Sequence, residues 1–537
     1  MTSLLLTLAL SGCAQEPAPG PLLLSPREQL IRVSVDLRGV HPSEAELVAI
    51  EESPKLYDDY VDRYLEDPRF LERVREVFNQ RWQTRNGSSY FDPNEAGLYG
   101  VSDARVADSL GDEPLRLLSH IVENDLSYRE LMTADYTMAD PIVAAMWNLD
   151  YPTGATGWEQ ATYQDGRPHA GVLSMNTTWM RYPSMGGNAN RHRANAVSRM
   201  FLCDDFLVRP IVLDRAAVDQ LTEDPENAIA SNEACMSCHS TLDPLAAHFF
   251  GFFFDDGAET LLQARTYRPE NEGAWRDYAG VGPGYFGKPT RDLTELAQAL
   301  VEDQRFGECA ARTVYESMFQ KELGDEDWSD FSVHYEQFMA ADMSVKSLVR
   351  SVALSEEYIA AQPADPERVS GVRKVSPAQL AGVIEGITGY RWSFDGRDGM
   401  TRHDLGLPGL FGGIDGQYAA TPNHEPSLSV AFIQERLAQA AAWDVAAHDL
   451  DPERGGDARL LLYVTVEDTP EASPEAFEAQ IRHLYLAATG LALEEDATEP
   501  AALVEVWKYV YSVEGTETAA WASVISAVLR DPRLLFY

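Results

Sequence analysis

The chain of 537 residues carries 85 acidic and 43 basic side chains, a formal charge of -42, with 45% hydrophobic and 24% charged residues. That balance excludes a disordered chain, and it excludes binding of nucleic acid or anionic lipid through the general surface. The length is enough for large cores divided over roughly two to four domains.

Met1 to Gly12 is short, uncharged and rich in leucine, and it ends in Leu10-Ser11-Gly12-Cys13, a small-residue cleavage site directly before a cysteine. The pattern resembles a bacterial lipoprotein signal, although no Lys or Arg precedes the apolar core. Residues 1–12 are read as the signal peptide, Cys13 as the lipidated first residue of the mature chain, and 13–24 as a flexible tether. The alternative is an apolar N-terminus without a targeting role. No other apolar run reaches transmembrane length. The body is therefore expected on the periplasmic or cell-surface side of a bacterial membrane, held there by lipid alone.

Helices follow, and the fold class reads as mostly α and multi-domain. Ser25-Pro26-Arg27-Glu28 and Ser43-Glu44-Ala45-Glu46 are capping boxes. Between them Leu30 to Val40 alternates as a strand would but fits better a short capped helix ending near Gly39. Apolar residues recur at three and four positions over Tyr57 to Trp82, Leu115 to Met132 and Leu293 to Phe319, the pattern of amphipathic helices. Residues 25–165 form the expected N-terminal helical domain.

The next segment departs in charge. Gly166 to Cys203 contains no Asp or Glu, where chance would supply about six, yet it holds Arg167, Arg181, Arg191, Arg193 and Arg199 with His169 and His192.

Downstream lies Cys235-Met236-Ser237-Cys238-His239. Two thiols three positions apart, followed at once by an imidazole, form the attachment pattern of one c-type haem, with thioethers from the cysteines and iron ligation by His239. A redox dithiol or half of a zinc site are the alternatives; no second C-x-x-C completes a zinc site.

A haem brings two propionates, and arginine forks suit carboxylates. Arg181, Arg191 and Arg193 are therefore candidate propionate partners, with a solvated loop or internal ion pairs as the alternative. Met180 and Met185 are candidate second axial ligands, and Met175, His192 and His248 are rivals. Thr241-Leu242-Asp243-Pro244-Leu245 reads as a turn. His248-Phe249-Phe250-Gly251-Phe252-Phe253-Phe254 reads as an apolar wall. Residues 166–290 make up the expected haem-binding region. Cys203 and Cys309 remain, either as one disulfide or as two buried thiols.

Residues 291–362 read as a further helical module and 363–537 as a C-terminal helical domain, with Pro363-Ala364-Asp365-Pro366 as the break. Ser376-Pro377-Ala378-Gln379 and Ser473-Pro474-Glu475 open helices in the last third. The stretch from Ala311 to Tyr358 faintly resembles that from Ile481 to Tyr537, each a helix, an acidic turn and closing helices; two ordinary hairpins are the alternative. Leu407 to Pro426 is glycine-rich and longer than a connector, so it is expected to fold over a neighbouring surface.

Cys235-Met236-Ser237-Cys238-His239-Ser240-Thr241-Leu242-Asp243-Pro244-Leu245 resembles the signature of the large planctomycete-type cytochrome c proteins, whose flanking domains have no assigned function. Leu37-Arg38-Gly39-Val40-His41-Pro42-Ser43, Leu131-Met132-Thr133-Ala134-Asp135-Tyr136-Thr137, Ala170-Gly171-Val172-Leu173, Phe306-Gly307-Glu308-Cys309-Ala310-Ala311-Arg312 and Ser376-Pro377-Ala378-Gln379-Leu380 match in order. Ala246-Ala247-His248-Phe249 departs from the family's usual Gly-Phe and acidic continuation. The resemblance implies an exported helical haem protein and places cysteines like Cys203 and Cys309 in corresponding blocks, which favours a bridge.

The expected function is single-electron transfer by one covalently attached haem c, to or from a redox partner protein. The alternatives are a five-coordinate haem oxidase or peroxidase with His192 or Arg193 as proton handler, and a surface scaffold with a structural haem.

Overall fold

Local capping starts the chain's first helices. A computed structural model describes residues 21–85, 91–184, 186–210, 215–224, 229, 231–278, 280–362, 371–416, 419–451, 453 and 457–537. The expected signal peptide, Cys13 and the expected break at Pro363-Ala364-Asp365-Pro366 lie outside these residues.

The fold is mostly α. Its principal helices are α1 (Pro26–Arg38), α2 (Glu44–Glu52), α3 (Tyr57–Leu65), α4 (Pro68–Trp82), α5 (Asp103–Glu123), α6 (Arg191–Leu202), α7 (Glu233–Ala246), α8 (Leu293–Glu302), α9 (Gln304–Phe319), α10 (Trp328–Ala340) and α11 (Val345–Ala353). After residue 371 come α12 (Pro377–Thr388), α13 (Leu428–Asp449), α14 (Pro474–Thr489), α15 (Glu499–Glu514) and α16 (Glu517–Leu529). The two stretches that resemble one another in sequence are each a run of three helices, α9–α11 and α14–α16.

Capping boxes open α1, α2 and α12 at Ser25, Ser43 and Ser376. Gly39 ends α1 in the left-handed region at φ 68°, its N–H on the Val35 carbonyl. Three long periodic stretches divide. Asp67 caps a new start at Pro68 and splits 57–82 into α3 and α4. Asp303 does the same between α8 and α9. The helix expected over 115–132 begins earlier, at Asp103, and stops at Glu123, where Asp125 takes a positive φ. An internal N-cap satisfies the new helix's orphan N–H groups, so periodicity continues while the axis turns.

The four sheets among the described residues are two-stranded and antiparallel. One pairs Leu22–Leu23 with Ala360–Gln362, so the end of the expected tether is held to the body.

Two large apolar cores lie on either side of α1. Leu30, Val33 and Leu37 enter the first, which gathers side chains from residue 30 to residue 358; Ile31 and Val35 enter the second with residues 375–535. The two stripes follow from helical spacing: positions i, i+3, i+7 form one face, and positions i+1 and i+5 form a face about 100° away. The segments 25–165, 166–290 and 291–362 thus contribute to one shared core. Between the stripes, buried Arg32 donates to the carbonyls of Tyr358 and Ala360. Asp36 accepts from Arg373, Tyr358 and the last residue, Tyr537.

The Cys203–Cys309 disulfide joins the C-terminal end of α6 to α9 across 106 residues, with Cα atoms 5.2 Å apart.

Candidate cofactor attachment site

The thiols and the imidazole of the C-x-x-C-H motif ride on one helix. Asn232 caps α7 by accepting from the Ala234 N–H at 3.0 Å, so Cys235, Cys238 and His239 occupy its first two turns. At i, i+3 and i+4 they share one face. Cys235 and Cys238 are free thiols of intermediate exposure.

The expected turn at Thr241-Leu242-Asp243-Pro244-Leu245 is instead the continuation of α7, which runs through Pro244 to Ala246. Proline there forgoes only the bond to the Ser240 carbonyl, and Ser240 is solvent-exposed. Because the helix continues, Asp243 falls one turn after His239 and faces it.

His239 Nδ1 lies 3.0 Å from Asp243 Oδ1. A carboxylate partner assigns the proton to Nδ1 and leaves Nε2 as the lone-pair nitrogen. Arg191, the first residue of α6, grips the same carboxylate in a fork, Nε at 2.6 Å from Oδ1 and Nη2 at 3.2 Å from Oδ2. The Asp243 side chain is 8% exposed and that of His239 is 24% exposed, so the imidazole is the outer member of the trio. Burial favours a neutral Asp243, but the hydrogen bonds from His239 and Arg191 outweigh it and hold the carboxyl below its ordinary range. The sequence signal for Asp243 as a site residue is its i, i+4 spacing from His239.

The three arginines read as propionate partners are engaged by the protein itself. Arg191 holds Asp243. Arg193, 5% exposed, donates to the carbonyls of Tyr182 and Phe252 and to Asn190 Oδ1, and burial lowers it to about 9. Arg181 donates to the Gln83 carbonyl at 2.6 Å and to Gly416. Arg167 pairs with Asp165 and lies over the Tyr163 ring. The basic segment is largely an internal fastening for backbone carbonyls.

The axial candidates separate. Met180 is buried in a third apolar cluster with Phe91, Leu110 and Trp147, and Met175 in the first core. Met185 lies outside the described residues. Both His248 nitrogens are engaged, Nδ1 with the Leu245 carbonyl and Nε2 with Thr290 Oγ1, and burial lowers its pKa to about 4. His192 follows Arg191 on α6, is exposed, and contacts the Pro183 carbonyl through Nδ1. The expected apolar wall is a buried 3-10 turn over Ala247–Phe252, where Phe249 packs 4.4 Å from the Trp179 ring.

Among the described residues no group of three or more His, Cys, Asp and Glu side chains is arranged to hold a metal ion by itself, and no helix is long and apolar enough to cross a membrane.

No curated protein and no solved structure matches the chain. Residues 32–149, from α1 to just past Trp147, match the family described as PSD4, protein of unknown function (DUF1592).

Proposed function

We propose that the chain is an exported, lipid-anchored monohaem c-type cytochrome that passes single electrons to or from a partner protein. The observation that carries this reading is the joint placement of two free thiols and a carboxylate-oriented imidazole on one face of α7. That donor set fits a covalently attached haem: Cys235 and Cys238 would form the thioethers and His239 Nε2 would ligate the iron. When bound, the haem supplies one-electron exchange at its iron. The chain's own residues do the rest. Asp243 holds His239 in the Nδ1–H tautomer and raises its basicity as a ligand, and Arg191 keeps Asp243 ionised and fixed. Support for the flanking organisation comes from residues 32–149, whose family is often found in planctomycete-type cytochrome c proteins. The Cys203–Cys309 bridge agrees with an oxidising compartment.

The test is intact mass spectrometry of protein matured by a host with export and haem-ligation machinery. One porphyrin mass that survives denaturation is expected; its absence overturns the proposal.

A second reading, a five-coordinate oxidase or peroxidase, is favoured by the engagement of both His248 nitrogens and by the packing of Met180 among Phe91, Leu110 and Trp147. Carbon monoxide binding to the ferrous protein separates the two: rapid binding selects the enzyme, and slow or absent binding selects the carrier.

A further inference from the structure

A cavity of about 100 Å³ lies at the seam between the two cores, remote in sequence from the C-x-x-C-H motif. α4 and the end of α9 wall it on one side and the start of α12 on another, while the glycine-rich segment after Met400 forms its roof. Pockets at such seams are common ligand sites.

The charges in this wall are unequal in their partners. Arg73 pairs with Glu76, Arg85 with Glu72 and Asp112, and Asp36 with Arg373. Lys374 is 4% exposed, and among the described residues no carboxylate pairs with it. Its Nζ donates to the Phe411 carbonyl at 2.8 Å and the Asn423 carbonyl at 2.7 Å, which leaves a third N–H. The close fit requires Gly412: a Cβ there, at φ +93°, would stand 2.4 Å from Nζ. His403 Nδ1 is buried and has no hydrogen-bond partner among the described residues. His424 also lines the cavity, and burial and the nearby Lys374 lower its pKa. A chain of net charge -42 thus gathers an ammonium without a carboxylate partner and two imidazoles around one half-open cavity. The rest of the lining includes Val77, Met318 and Ile414, which suits a short hydrocarbon.

We propose that this cavity binds a small aliphatic carboxylate, its oxygens on Lys374 Nζ and the His403 ring and its tail against Val77, Met318 and Ile414. An uncompensated buried ammonium gains a counter-ion, and the apolar wall discriminates a carboxylate from a fully polar oxyanion. The site is independent of the haem reading.

The test is calorimetric titration of the full chain with butyrate, with sodium chloride at matched ionic strength as reference and inorganic phosphate as competitor. Saturable one-to-one binding of butyrate is expected, undiminished by phosphate. Lys374→Gln removes the charge and Ala378→Leu fills the cavity from α12 without removing a hydrogen bond. Lys374→Gln is expected to weaken binding by at least about ten-fold, the loss of one charge-assisted hydrogen bond, and Ala378→Leu to weaken it as much by occupying the space of the aliphatic tail. Should Lys374→Gln fail to fold, Ala378→Leu alone decides. Butyrate indistinguishable from chloride, displacement by phosphate, or parental affinity in the folded variants would overturn the proposal.

Discussion

Asp243 Oδ1 stands 3.0 Å from His239 Nδ1, one helical turn away, and the Arg191 fork closes on the same carboxylate from the start of α6. The pair orients the imidazole before any cofactor arrives. Asp243→Asn keeps the shape and removes the charge. In the apoprotein, nitrogen NMR of His239 is expected to lose its predominant Nδ1–H tautomer. In the haem-loaded protein, the reduction potential is expected to rise and the hold on iron to weaken by about ten- to hundred-fold. An unchanged tautomer ratio together with an unchanged potential would refute the role.

Covalent attachment divides between the two thiols. Cys235→Ser and Cys238→Ser each leave α7 intact, since both side chains are only partly buried. Each single variant is expected to retain porphyrin through one thioether, and the double variant to lose it on denaturation. Denaturing mass spectrometry reads this directly. Porphyrin retained by the double variant would contradict the assignment.

The Cys203–Cys309 bridge closes a loop of 106 residues within the first core. By loop entropy its removal as Cys203→Ser with Cys309→Ser costs roughly 4–5 kcal/mol. Denaturant titration followed by tryptophan fluorescence is expected to show the loss in the first core, while the second core, joined through α1, shifts less.

Asp112 receives Arg85 at 2.6 Å and Arg116 at 2.9 Å. Burial opposes its charge, but Arg85 first and then Arg116 outweigh burial and depress the folded-state pKa below that of the unfolded chain. The sign follows: this stabilisation is complete above the unfolded value of about 3.9 and is lost as pH falls below it. Asp112→Asn is expected to cost about 1–3 kcal/mol at pH 7, because it weakens two charge-assisted hydrogen bonds while Arg85 keeps Glu72 and Arg116 stays partly exposed. Its stability should then fall less steeply than the parent's in acid titrations followed by circular dichroism. Parallel acid transitions would count against the assignment.

α1 is the shared wall of the two cores, so neighbouring substitutions report on different halves. Leu30→Ala and Ile31→Ala are each expected to cost about 2–5 kcal/mol. Hydrogen exchange should quicken chiefly in α3 and α4 for Leu30→Ala, and in α12 and the end of α14 for Ile31→Ala. Identical exchange maps would show that α1 does not partition them.

Legibility followed the range of the interactions. Ser25, Ser43 and Ser376 were readable as caps because a capping box closes within three residues. The breaks at Asp67 and Asp303 were not read, although the same cap chemistry writes them, because uninterrupted apolar spacing masked them. Asp243 was misread as a turn residue because proline beside it signals a stop, and only the exposure of Ser240 shows why the helix passes through.

By itself the amino-acid sequence determined a mostly helical chain, the starts of its capped helices and the spacing of Cys235, Cys238 and His239, all fixed by contacts within one or two turns. Only the tertiary structure decided that residues 30–358 share one core, that Arg193 serves backbone carbonyls, that Arg191 reaches Asp243 and that Cys203 meets Cys309. These depend on partners distant in the chain, as Arg32 and Ala360 are at 328 residues apart, where no local pattern names the neighbour and packing of both faces of α1 chooses it.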